Sequence, residues 1–217
     1  MPETHEHAVG SMDVGDRLPM WLMTMASTPL ILAFGDSLIA GYGLKPDEGL
    51  PARLQRRLCA DHPGMEVVNG GVSGDTTEGA LRRLPRVLSG LPARPDLALV
   101  QIGPNDVLRA VPPERMRANL EAILAEFERC AIPVLLATVA APPFLMQRTK
   151  TYAGIHEAVA ARHGATTCPF FPPGVLGHPD MVLWDRVHPN ARAIALVAEQ
   201  LAPAIERALI LPASTAR

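Results

Sequence analysis

Five short apolar runs, each followed by a stretch with helical spacing, constrain this chain more than any other feature. The runs lie at 30–34, 65–69, 96–102, 133–139 and 165–170. They are continuous rather than alternating, the pattern of strands covered on both faces. Between them, Leu50, Leu54 and Leu58 recur at four-residue spacing over 48–60, and Leu81, Leu84 and Leu88 mark 77–89. Met116, Leu120, Ile123, Leu124 and Phe127 mark 114–130, and Ile194, Leu196, Val197, Leu201 and Ile205 mark 190–210. A weaker helical pattern covers 149–163. Pro203 should bend or break the last helix. Alternating strand and helix with short connections predicts an α/β protein with a parallel sheet of about five strands and helices on both faces. Residues 29–217 read as a single domain, with no internal repeat or low-complexity linker.

Composition excludes several classes of function. Aromatic residues make up 4% of the 217 residues, too few for a stacking platform on single-stranded nucleic acid. The formal charge of −2 and the lack of a long basic run argue against a nucleic-acid partner. No apolar stretch reaches the length of a membrane span, so stable membrane insertion is not expected. Cys59, Cys130 and Cys168 have no paired spacing, which speaks against a zinc site or a disulfide framework. They read as free, buried thiols. No metal or other cofactor is expected.

Residues 1–28 differ in character. An apolar segment, 18–26, precedes Ala26-Ser27 as in a weak secretory signal, but the stretch before it is acidic, with Arg17 its only basic residue. The reading preferred is a flexible leader or an extension foreign to the native chain, and with it a cytoplasmic location over a periplasmic or secreted one.

Ser37 follows the first apolar run, in Gly35-Asp36-Ser37-Leu38, and therefore falls just past a strand's carboxyl end. In open α/β sheets ligands bind there. A serine hydroxyl needs a base to become a nucleophile. His188, in Asp185-Arg186-Val187-His188-Pro189, is the best candidate. Asp185, three residues earlier, can take a hydrogen bond from one imidazole nitrogen and leave the other for Ser37. Pro189 disfavours helical geometry at His188 and can open the final helix. Acyl transfer also needs donors for an oxyanion. The segment Asn69-Gly70-Gly71-Val72-Ser73-Gly74 can supply the Gly74 N–H, and Gly103-Pro104-Asn105-Asp106 the Asn105 amide, beside the N–H of Ser37 itself. Taken singly, each has a plainer reading: a surface acid and histidine before a helix, a glycine turn capped by Asp75 or Thr76, an asparagine suited to a turn. Neither a dinucleotide fingerprint nor a phosphate loop nor a Gly-x-Ser-x-Gly elbow is present. His178 is the only rival base and reads as structural or as part of the site wall.

These four segments, in this order, resemble the SGNH or GDSL hydrolase family, and their wording is most similar to the bacterial thioesterase I/lysophospholipase L1 and arylesterase branch. The resemblance implies a flavodoxin-like three-layer fold and metal-free ester hydrolysis. By position it makes Ser37 the nucleophile, His188 the general base and then acid, and Asp185 the residue that orients it. The Ser37 and Gly74 N–H groups and the Asn105 side chain become the oxyanion hole. Pro104 departs from a Gly-Gly-Asn-Asp wording common in that branch, and should stiffen the loop from Val107 to Pro112.

The expected activity is hydrolysis of short- to medium-chain acyl esters, including aryl esters, thioesters or lysophospholipids, through an acyl-enzyme. Val107 and Leu108 are expected on one substrate wall, and Pro143, Phe144 and Leu145 on the other. A carbohydrate acetyl-esterase is the alternative, disfavoured by the apolar 140–146 segment. A catalytically silent binding module of the same fold is the alternative of another class.

Overall fold

The computed structural model describes residues 28–140 and 149–210. The leader segment 1–27 and the proposed wall residues Pro143, Phe144 and Leu145 lie outside the described residues.

Five parallel strands form one sheet: β1 (Leu30–Gly35), β2 (Glu66–Gly71), β3 (Leu97–Gln101), β4 (Val134–Thr138) and β5 (Thr166–Pro169), in the order β2-β1-β3-β4-β5. Each expected strand is present. β1 lies between β2 and β3, so the sheet grows away from it in both directions. β1 and β3 are buried along their whole length, whereas edge strands β2 and β5 are half-buried to exposed.

Seven α-helices surround the sheet among the described residues: α1 (Ser37–Ala40), α2 (Leu50–Asp61), α3 (Thr77–Ser89), α4 (Pro104–Leu108), α5 (Pro113–Arg129), α6 (Ile155–Arg162) and α7 (Ala191–Ile210). The period of two along the central strands divides the core into two layers. Ile31, Ala33, Leu97 and Leu99 face α2 and α7, meeting Leu50, Leu54, Leu58, Val197 and Leu201. Leu32, Phe34, Ala98 and Val100 face the other way and meet Leu84 of α3, Leu120 and Phe127 of α5 and Val159 of α6. This is the three-layer sandwich that continuous apolar strands require.

Three details differ from the sequence reading. The 149–163 pattern is split into a 3₁₀ turn (Lys150–Tyr152) and α6, because Gly154 between them adopts φ 74, a left-handed conformation that ends one turn before the next begins. The final helix runs through Pro203 without a break. Pro203 lies on the exposed side, where the carbonyl it leaves unpaired can be solvated. Nor does Pro189 open that helix: it sits in a bridge with Val182, and the Asn190 Oδ1 caps the helix by accepting from the N–H groups of Arg192 and Ala193. The three cysteines are free thiols as read, although half-buried rather than fully buried.

Candidate active site

Because β1 pairs with strands on both sides, its carboxyl end opens between the loops that follow β2 and β3. Ser37 is the first residue of α1, which begins two residues past the strand. Asp36 caps this short helix by accepting a hydrogen bond from the Leu38 N–H at 3.0 Å. Gly41 ends it at φ 81. The serine is thereby fixed between a buried strand and a one-turn helix.

His188 and Asp185 reach it from the loop before α7. The Asp185 Oδ1 accepts from the backbone N–H groups of Val187 (2.9 Å) and His188 (3.0 Å). Its Oδ2 lies 2.6 Å from the His188 Nδ1, and the His188 Nε2 lies 3.0 Å from the Ser37 Oγ. A carboxylate accepts only, so Nδ1 carries the imidazole proton and Nε2 is left to accept from the serine hydroxyl. Burial pushes the Asp185 carboxyl up, but the two backbone N–H bonds and the imidazole outweigh it and hold the group below its ordinary value. Asp185 is therefore ionised at neutral pH. Tyr42 packs on the imidazole with ring centroids 4.4 Å apart.

Two backbone donors face no partner. Among the described residues the N–H groups of Ser37 and Gly74 make no hydrogen bond. Gly74 holds φ 79, where a side chain would be strained, so glycine is needed at this position. Asn105 is also present, on α4, but its amide is engaged. Nδ2 donates to the Asp75 carbonyl at 2.9 Å and approaches the Asp36 Oδ2 at 3.4 Å. The longer of these contacts is the one a developing oxyanion can displace.

Two polar side chains without an assigned role in the sequence reading fasten these loops. Arg83 of α3 donates to the Asp75 carboxylate (2.7 Å), to the Gly70 carbonyl (2.7 Å) and to the Gly35 carbonyl (2.9 Å), and lies 4.2 Å over the Phe34 ring. One guanidinium thus ties the ends of β1 and β2 to the glycine loop. Asp106, fully buried, accepts from the Thr77 N–H (2.9 Å) and hydroxyl (2.6 Å) and so anchors the start of α3 to α4. Burial raises its carboxyl, and the Thr77 bonds oppose that. Asp75 therefore serves as the partner of Arg83, while Thr76 is the cap of α3.

Asp36 itself is buried, and desolvation raises its carboxyl from 3.8 to about 6. Beside it is Gln101, also fully buried, whose Oε1 has no hydrogen-bond partner and whose Nε2 lies 3.5 Å from the Asp36 Oδ2. Amide orientation is an assignment, and turning this one over lets a protonated Asp36 donate to the orphan oxygen. A raised acid stabilises the fold fully below its unfolded value, and that contribution is lost as pH rises through about 6. At neutral pH the ionised group costs at most roughly 3 kcal/mol. Asp36→Asn keeps the cap and offers an amide N–H to Gln101. Its stability advantage in urea denaturation should widen by roughly 1–2 kcal/mol between about pH 5 and about pH 7.5. A gap independent of pH would show that Asp36 does not titrate in the fold.

The remaining sequence candidates separate. Val107 is half-buried and Leu108 exposed, at the end of the helix that carries Asn105. The loop they open is held at its far end, where the Tyr152 hydroxyl donates to the Val111 carbonyl at 2.6 Å. Among the described residues it is His188 and not His178 that hydrogen-bonds Ser37; His178 accepts from the Asp180 N–H, a structural role in the Pro179–Met181 turn. Nothing in the sequence marks Tyr42 or Arg83 as part of the site. An arginine on an amphipathic helix reads as a solvent-facing charge, and an aromatic in a glycine-rich loop gives no periodic signal.

Known proteins similar to this chain are named esterases and thioesterases. The chain is 33% identical over 186 residues to Esterase TesA of Pseudomonas aeruginosa, covering 85% of this chain and 92% of that one. It is 30% identical over 182 residues to Thioesterase 1/protease 1/lysophospholipase L1 of Escherichia coli, covering 83% and 85%. Among solved structures, the SGNH-hydrolase family esterase AlinE4 superposes with a TM-score of 0.69 at 40% identity, over 87% of this chain and all of that one. Residues 33–196, which include Ser37, Asp185, His188, Gly74 and Asn105, match the sequence profile of the GDSL-like Lipase/Acylhydrolase family, and the chain belongs to that family.

Proposed function

We propose that this chain, a carboxylic ester hydrolase by family, cleaves short- to medium-chain acyl esters and thioesters through an acyl-enzyme on Ser37. The observation that carries the reading is the unbroken relay from the Asp185 carboxylate through His188 to the Ser37 hydroxyl, at 2.6 and 3.0 Å. The Ser37 Oγ attacks the acyl carbonyl while the His188 Nε2 takes its proton. Negative charge moves to the carbonyl oxygen, where the free N–H groups of Ser37 and Gly74 stabilise it, joined by the Asn105 amide once it leaves Asp36. The imidazolium, stabilised by Asp185, then gives its proton to the leaving oxygen or sulfur. Water enters, is deprotonated by His188, and releases the acid by the same steps in reverse.

A fluorophosphonate probe tests this without choosing a substrate. It should label the wild-type protein once, and peptide mass spectrometry should place the adduct on Ser37. Asp185→Ala should still be labelled, more slowly, because imidazole and hydroxyl both remain. Adduct on another residue, or none on folded protein, would overturn the reading.

A further inference from the structure

We propose that Arg186 selects esters and thioesters whose leaving group carries a negative charge. The proposal rests on the hydrolase reading above. Arg186 stands between the acid and the base, and its backbone holds φ 59. That is the left-handed region, which non-glycine residues enter infrequently and which concentrates at functional sites. The turn demands it: the Arg186 N–H donates to the Leu183 carbonyl, and the Leu183 N–H donates to the His188 carbonyl, closing the loop at its base. Asp185 turns inward to His188, so Arg186 is left at the exposed tip. A glycine would satisfy this backbone more easily; an arginine here calls for a reason in its side chain.

Its guanidinium has no hydrogen bond and no ion pair among the described residues. The acids around the site are committed elsewhere: Asp185 to His188, Asp75 to Arg83, Asp106 to Thr77, while Asp36 is buried. Asp180, exposed on the turn behind, makes no ion pair with it either. Arg109 donates to the Gly74 carbonyl at 2.7 Å and is otherwise exposed, a second positive charge beside an oxyanion donor. The cleft therefore presents cations outward and holds its carboxylates inward.

The chemistry decides which half of the substrate meets this charge. His188 must hand its proton to the leaving atom, so the leaving group lies against the His188 turn and the acyl chain extends away from it. Arg186 is on that turn. Trp184 and Val187 beside it are 83% and 62% exposed, giving apolar contact around the charge. A carboxylate, phosphate or sulfate on an otherwise apolar leaving group fits this combination.

The test compares the butyrate esters of 4-nitrophenol and of 3-carboxy-4-nitrophenol, which share an acyl group and differ by one carboxylate. The readout is the ratio of kcat/KM for the charged over the neutral ester, which cancels any general loss of activity or folding. Arg186→Gly, which also relieves the backbone, should lower that ratio about tenfold, and Arg186→Lys should keep most of it. High salt should lower the wild-type ratio towards that of the glycine variant. A ratio unchanged in Arg186→Gly overturns the proposal while leaving the hydrolase reading intact. Failure of the folded wild-type protein to cleave either ester overturns both.

Discussion

Ser37→Ala and His188→Ala should each lower kcat for a 4-nitrophenyl ester by about 10,000-fold or more, and the double variant should be little worse than either. The reason is that the two side chains act in one step. Without the imidazole, the hydroxyl at 3.0 Å has no acceptor for its proton; without the hydroxyl, the imidazole has nothing to activate. A residual rate above that in water should survive in all three variants, because the Ser37 and Gly74 N–H donors belong to the backbone and remain. Single-turnover kinetics on the two single variants and the double decide it. Multiplicative losses would mean that the two residues do not form one unit, and an unchanged rate in folded Ser37→Ala would remove Ser37 as the nucleophile.

The parts of this site that the amino-acid sequence discloses are those carried by local chemistry. Gly35-Asp36-Ser37 follows an apolar run, and a run of that length must end where the sheet ends, so Ser37 could be placed at a strand's mouth. Asp185 and His188 share a turn, so their contact needs only that turn. The parallel sheet is likewise a consequence of alternating strand and helix, and every expected strand is found, whereas the order of the strands comes from the structure alone. Apart from the His188–Ser37 pairing, long-range polar contacts are not legible. Arg83 meets Gly35 across 48 residues of chain and Gly70 across 13, and no spacing announces a side chain that bonds to backbone carbonyls. Asp36 and Gln101 meet across 65 residues, Gln101 buried in a strand that reads as apolar and Asp36 in the turn that follows another. Prolines misled for a related reason. Intrinsic preference alone makes Pro203 a break and Pro189 a start, whereas exposure at Pro203 and the capping side chain of Asn190 decide where α7 runs.

Gly35→Ala should be among the most damaging single methyl groups in the described structure, destabilising the protein by about 3 kcal/mol or more in urea denaturation. A Cβ at Gly35 would stand 1.9 Å from the Gln101 carbonyl oxygen and 2.8 Å from the Ile39 Cγ1. The first of these is backbone, so relief requires β1 and β3 to part rather than a side chain to turn. The same carbonyl accepts the Asp36 N–H at 3.3 Å, and the Gly35 carbonyl holds both the Val72 N–H and Arg83. Parting the strands therefore moves Ser37 and the glycine loop away from the Asn105 segment together, and ester turnover should fall in whatever fraction still folds. Gly49→Ala is the matched control. Its added Cβ would meet its nearest neighbours at 3.7–4.0 Å, ordinary contact, and Gly49 already has a negative φ at the cap of α2. That variant should lose less than about 1 kcal/mol. If the two variants unfold at the same urea concentration, the close approach of β1 to β3 is not what holds Ser37 in place, and the positioning must come from Arg83 and the Asp36 cap instead.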